Sequence, residues 1–142
     1  MYERILLPTD GSEGTDRAVE QAIGLAAETG AELHALFVVE DAPYAPEMTD
    51  ERVSAQLREI GENAIASIRD RADAADVTVR AAIEDGIPNR EILKYADGAD
   101  VDLVVMGTHS RSGLDKYLLG SVTERVVRTA DVPVLTVRVD GD

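Results

Sequence analysis

The chain has 142 residues, 44% of them hydrophobic and none of them cysteine, and sets 28 acidic against 14 basic side chains for a formal net charge of −14. This size and hydrophobic share fit one globular domain and exclude a disordered chain, while the missing cysteines exclude disulfides and thiolate metal sites. The charge excludes DNA and anionic membranes as partners, since no basic stripe can displace counterions, and no apolar run approaches the ~20 residues of a membrane span.

The first residues, MYERILLPTD, lack a basic region leading into a signal-peptide core, so a cytoplasmic location is expected. Ile5-Leu6-Leu7 is a short uninterrupted apolar run, the pattern of a strand buried on both faces, and it stops at Pro8-Thr9-Asp10-Gly11. Ser12 is placed to cap a helix, with Glu13 and Asp16 near its positive end. Ala18, Ala22, Leu25 and Ala26 mark the buried face of that helix, and Gly30 ends it. A second strand is predicted over Leu33 to Val39, followed by the proline-bearing loop DAPYAPE.

From Thr49 a long helix is predicted, with Val53, Leu57, Ile60, Ala64 and Ile68 recurring at steps of three and four along its buried face. The third strand is expected over Val77 to Ile83. Gly86-Ile87 is a turn, and Pro88 stands where helix starts tolerate proline. The helix that follows carries Ile92, Leu93 and Ala96 and is expected to stop at Asp97-Gly98. Val101 to Met106 is the fourth strand, a helix is predicted over 121–129, and Val134 to Val139 is the fifth strand. Alternating strands and helices imply a parallel sheet covered on both faces and built from right-handed crossovers. Ligands of such sheets bind beyond the carboxyl ends of the strands, where the strand order reverses.

The segment 107–121, GTHSRSGLDKYLLGS, lies on that edge. A phosphate site needs backbone N–H groups converging on one spot, often at a helix start, and glycines let the backbone approach. The segment is neither GxxxxGK[ST] nor GxGxxG. Ser121-Val-Thr-Glu124 also reads as a capping box, so a capped turn and a phosphate cradle both remain open from the residues alone. His109 has no partner for a Ser-His-Asp arrangement or a metal, because the other histidine, His34, lies in a strand.

Taken in order, ILLPTDGS at 5–12, Gly86-Ile87-Pro88, DLVVMGTH at 102–109, LLGS at 118–121 and VPVL at 132–135 resemble the universal stress protein family. The resemblance spans nearly the whole chain and implies a single domain over 1–142. It implies an α/β three-layer sandwich: a five-stranded parallel sheet of order 3-2-1-4-5 with helices on both faces, Rossmann-like and of the adenine nucleotide α-hydrolase type. The nucleotide-binding branch carries Gly, two residues, Gly, nine residues, then Gly-Ser or Gly-Thr. Gly107, Gly120 and Ser121 match, and Ser110 replaces the second glycine.

By that resemblance Pro8, Thr9, Asp10 and Val38 meet adenine and ribose, with Asp10 accepting from ribose hydroxyls and Val38 and Met106 framing the base. Gly107, Thr108, Ser110, Gly120 and Ser121, with Val122 beside them, face the phosphates. Arg111 is available to neutralise charge. A left-handed conformation at Ser110 would cost ~1–2 kcal/mol, about tenfold in affinity. The implied ligand is ATP, with Mg²⁺ as its counterion held partly by the phosphates. No general base or water-orienting residue is evident, so any hydrolysis would be slow and the expected work is stress-response signalling through binding. The competing reading is a dimeric interaction module that binds no nucleotide. An ATP-pyrophosphatase ranks third, since no SGGxDS-type loop follows the first strand.

The resemblance further implies a homodimer through antiparallel pairing of strand 134–139, whose apolar run VPVLTVRV lies at an expected sheet edge. An acidic surface with lysine only at 94 and 116 also resembles proteins of salt-loving organisms. In molar salt the Debye length falls to ~3 Å and screens the self-repulsion of such a surface. The melting temperature is therefore expected to rise with KCl concentration in thermal unfolding; a flat dependence would contradict salt adaptation.

Overall fold

In the computed structural model, which describes residues 2–40, 51–108 and 119–138, five strands and four helices alternate along the chain. They are β1 (Arg4–Thr9), a 3-10 turn (Glu13–Thr15), α1 (Asp16–Thr29), β2 (Glu32–Glu40), α2 (Glu51–Ala74) and β3 (Val79–Gly86). Then follow α3 (Pro88–Gly98), β4 (Leu103–Thr108), α4 (Leu119–Thr129) and β5 (Val134–Arg138). All strand pairs are parallel and the sheet order is β3-β2-β1-β4-β5, the expected three-layer α/β sandwich.

Strand alternation divides the core in two. Ile5 and Leu7 of β1, with Leu33, Ala35, Phe37 and Val39 of β2, pack against the alanine-rich face of α1 and against Ile65, Ile68 and Ala72 of α2. Leu6, Leu36, Val104 and Met106 point the other way, onto Ile92 and Ala96 of α3 and Val126 of α4. The central strands therefore read as nearly continuous apolar runs, because both of their faces are covered.

Three helices end on a left-handed residue. Gly30 (φ 76°) follows α1, Asp76 (φ 58°) follows α2 and Asp100 (φ 54°) follows α3. Each turn returns an N–H to the helix: Ala31 and Val77 donate to the carbonyls of Ala26 and Ala72, and Val101 donates to that of Ala96. The third helix stops at Gly98, as expected from Asp97-Gly98, and Asp100 makes the turn two residues on. Aspartate tolerates this conformation better than most side chains. The turn after α2 holds Val77 out of the third strand, so β3 starts two residues later than expected and runs on to Gly86.

The α2 stripe departs from expectation at its start. Val53 and Ile60 are 40% and 45% exposed. Ile60 and Gly61 already lie level with Gly11 and Phe37 at the carboxyl edge of the sheet, so the preceding turns run past the strands. Thr49 falls outside the described residues.

At the amino edge, His34, 3% exposed, is held on both sides. Its Nδ1 meets the Tyr95 hydroxyl at 2.7 Å and its Nε2 meets Glu32 Oε1 at 2.8 Å; Arg80 Nε donates to Glu32 Oε2 at 2.9 Å. Since a carboxylate only accepts, Nε2 carries the proton and Nδ1 of neutral imidazole takes that of Tyr95. The Arg80 guanidinium holds the Glu32 carboxyl below its ordinary range, opposed by partial burial and aided by His34. Burial pushes the Tyr95 hydroxyl up.

The two outer strands differ. The outer edge of β3 carries Arg80, Glu84 and Asp85 exposed, with Asp85 paired to Arg58 of α2. On β5, Leu135 is exposed and Val134 and Val137 are half-buried.

Gly61 shows how closely α2 sits on the sheet. A Cβ there would meet the Phe37 ring at 2.6 and 2.8 Å, and Phe37 is itself buried. Alanine in a helix interior normally gains about 1 kcal/mol over glycine, but overpacking a core costs about 1–3 kcal/mol. Gly61→Ala is thus expected to lower stability by up to about 2 kcal/mol net in chemical denaturation; an increase would refute the close contact.

Candidate nucleotide site at the switch point

The sheet order reverses between β1 and β4, and there the two central strands part. β1 pairs with β2 along its whole length, from Arg4–Glu32 to Thr9–Phe37, but with β4 only at Ile5–Leu103 and Leu6–Val104. The sequence explains the stop. Glu32 N–H donates to the Glu3 carbonyl, so odd residues of β1 face β2; Asp102 N–H donates to the Arg4 carbonyl, so even residues face β4. The next N–H that β1 should offer to β4 beyond Leu6 belongs to residue 8, and proline has none. The pairing to β2 uses residues 7 and 9 and is undisturbed. A proline in a central strand thereby opens a cleft on one side only.

Chain direction widens this cleft. After β1 the chain turns onto the α1/α2 face, and α4, which follows β4, lies on the α3/α4 face. α4 points its amino end at the cleft edge, with no acidic residue in its first turn. The partial positive charge of the helix start is left for an anion.

The β1 end is braced. Asp10 Oδ1 accepts from the Ser12 N–H at 2.9 Å and from the Ser12 hydroxyl at 2.6 Å, leaving Oδ2 outside this turn. Thr9, 6% exposed, takes the Gly11 N–H on its hydroxyl at 3.1 Å, and Thr15 bridges from 3.4 Å. Thr15 also donates to the Ser12 carbonyl at 2.8 Å. Gly11 has φ 80°, and a Cβ there would meet Ile60 at 2.8 Å, so glycine is needed for both conformation and space. Ser12 therefore does not cap α1 as expected. It ties down Asp10, and Thr15 takes the cap position. On the α1/α2 side, Ser12, Thr15 and Asn63 help line a groove of ≈380 Å³.

Across the cleft, Met106 is fully buried, with Val38 and Val122 packed against its cluster. Gly107 is buried and Thr108 half-buried at the end of β4. Gly120 and Ser121 lie in the first turn of α4. The helix starts two residues before the predicted boundary, so Ser121 sits inside that turn and not at the cap position of a capping box. Glu124 pairs instead with Arg128 at 3.8 Å. Pro8, Thr9, Asp10, Val38, Met106, Gly107, Thr108, Gly120, Ser121 and Val122 thus share one edge of the sheet; Ser110 and Arg111, like His109, lie outside the described residues.

Sequence reasoning missed one participant. Thr123 is 2% exposed and donates its hydroxyl to the Gly107 carbonyl at 2.7 Å, joining α4 to β4. Its signal was weak, a threonine between Val122 and Glu124 in an amphipathic helix.

The model of the universal stress protein family matches residues 1–138. The chain belongs to the universal stress protein family. A universal stress protein of Methanocaldococcus jannaschii is 38% identical over 141 residues, covering 97% of this chain and 83% of that one. One from Methanothermobacter thermautotrophicus is 37% identical over 145 residues, covering 97% of both. Among solved structures, the M. jannaschii protein MJ0577 superposes with TM-score 0.82 at 32% identity, covering 97% of this chain and 96% of that one. A universal stress protein in complex with cAMP superposes with TM-score 0.72 at 29% identity, covering 96% of both.

The bracing of the β1 end carries its own energetic signature. Thr15→Val keeps the shape but leaves the Ser12 carbonyl without its hydroxyl donor. It is expected to cost about 1–2 kcal/mol in urea denaturation; an unchanged midpoint would show the bond to be idle.

Proposed function

We propose that residues 1–142 form one universal stress protein domain that binds ATP in the β1–β4 cleft and signals stress through occupancy. One observation carries this reading: the central strands part at Pro8, and the cleft is flanked by Asp10, the glycine at 107 and the amino end of α4. The related protein in complex with cAMP supports the adenine class of ligand. In this reading Asp10, with one oxygen held by Ser12, offers the other to ribose. Val38 and Met106 border the base, and Gly107, Thr108, Ser110, Arg111, Gly120, Ser121 and Val122 surround the phosphates.

Among the described residues no group of three or more His, Asp or Glu side chains is placed to hold a metal. Mg²⁺ would accordingly enter with the phosphates as their counterion. The buried His34 is engaged at the opposite edge and supplies no base here, which favours binding over turnover. The partly exposed β5 edge supports a homodimer by antiparallel pairing through strand 134–139. The acidic surface supports a high-salt setting, and the cytoplasm is the proposed location. No helix among the described residues is long and apolar enough to cross a membrane.

Calorimetry of the wild type beside Ser110→Gly tests the ligand. ATP binding is expected in both, up to about tenfold tighter in the glycine variant if position 110 is left-handed. Binding by neither protein would leave the dimeric interaction module as the function.

A further inference from the structure

We propose that Thr123 is a positioning residue that makes the cleft accept phosphate, by taking the negative end of the Gly107 peptide out of the site; this rests on the nucleotide reading above. Val104 N–H donates to the Pro133 carbonyl, so even residues of β4 face β5 and odd ones face β1. Gly107 is odd, and its carbonyl points to the side where the ladder has ended. Had the ladder continued in the Leu6–Val104 register, the N–H of Asp10 would have met that carbonyl. The Thr123 hydroxyl meets it instead, at 2.7 Å and buried.

This use of a helical threonine differs from the others in the chain. Thr29 and Thr129 turn their hydroxyls back onto the carbonyls four residues earlier, Leu25 and Arg125, both at 2.7 Å. Thr123 leaves its own helix for the strand. An unpaired carbonyl at this place would project partial negative charge into a cleft read as an anion site, and its low-dielectric surroundings would strengthen the repulsion. The hydroxyl proton offsets part of that charge. It also fixes the Gly107–Thr108 peptide relative to the start of α4, so that both walls of the phosphate end move together. The penalty for losing it falls on the charged part of the ligand and spares the base and sugar.

The test compares ATP with adenosine at fixed ionic strength, by calorimetry on the wild type, Thr123→Val and Thr123→Ser. Valine keeps the volume and removes the donor, and is expected to weaken ATP about tenfold while adenosine stays within about twofold. Serine keeps the donor and is expected to hold the wild-type ratio. Equal losses for both ligands in the valine variant would reduce Thr123 to a structural role and overturn the proposal, as would unchanged ATP affinity. If the valine variant does not fold, Thr123→Ala takes its place. A serine variant that binds adenosine normally but ATP weakly also overturns it. Failure of the wild type to bind ATP removes the nucleotide reading itself, and is told apart from failure of the Thr123 proposal by that wild-type measurement alone.

Discussion

A strand inside a parallel sheet owes hydrogen bonds to both neighbours, and β1 cannot meet that demand beyond Leu6. Pro8 has no N–H, and its place in the register makes the missing donor one that β4 would have used. Proline is rarely found inside central strands because it breaks a ladder. Here the break falls at the carboxyl end, on the one side where the strand order reverses, so β1–β2 pairing survives intact. The parting of β1 from β4, the end of β4 left unpaired on its β1 side and the Thr123 bond to Gly107 all follow from that gap.

The two edges of the sheet divide the labour. At the amino edge Glu32, His34, Arg80 and Tyr95 bond β2, β3 and α3 through one chain of donors and acceptors. Because Glu32 is held below its ordinary carboxyl range, its contribution is present above the unfolded value. It is lost as pH falls through the folded one. The carboxyl edge is held differently, by short side chains acting on neighbouring backbone: Thr9 on Gly11, Ser12 with Asp10, Thr15 on Ser12 and Thr123 on Gly107. These bonds fix the loops without filling the cleft.

Much of this was legible in the sequence. Continuous apolar runs marked the central strands, and the alternation of elements gave the sandwich. Strand order came with the family motifs, and the edge that carries the candidate site came with the alternation of strands and helices. What escaped was decided between elements. Val77 reads as strand, but the turn at Asp76 directs its N–H to the Ala72 carbonyl, so β3 begins only at Val79. Val53 and Ile60 look like core in a helical repeat, but periodicity cannot tell where a long helix passes the end of its sheet. Ser12 and Ser121 both read as caps; one serves an aspartate and the other lies within a helix begun earlier. Thr123 was hidden because its partner is sixteen residues away in sequence and meets it only through the crossover.

The contrast between the outer strands bears on how far assembly can go. A sheet with two adhesive rims would add copies at both ends and grow into ribbons. The rim formed by β3 presents Arg80, Glu84 and Asp85, with Asp85 already matched by Arg58, so an incoming strand would have to strip water and counter-charges from it. In the proposed dimer, pairing through the β5 rim would use the same surface from each copy and leave the charged β3 rims outside. Such a rim would act as a terminator against polymerisation, halting assembly at two.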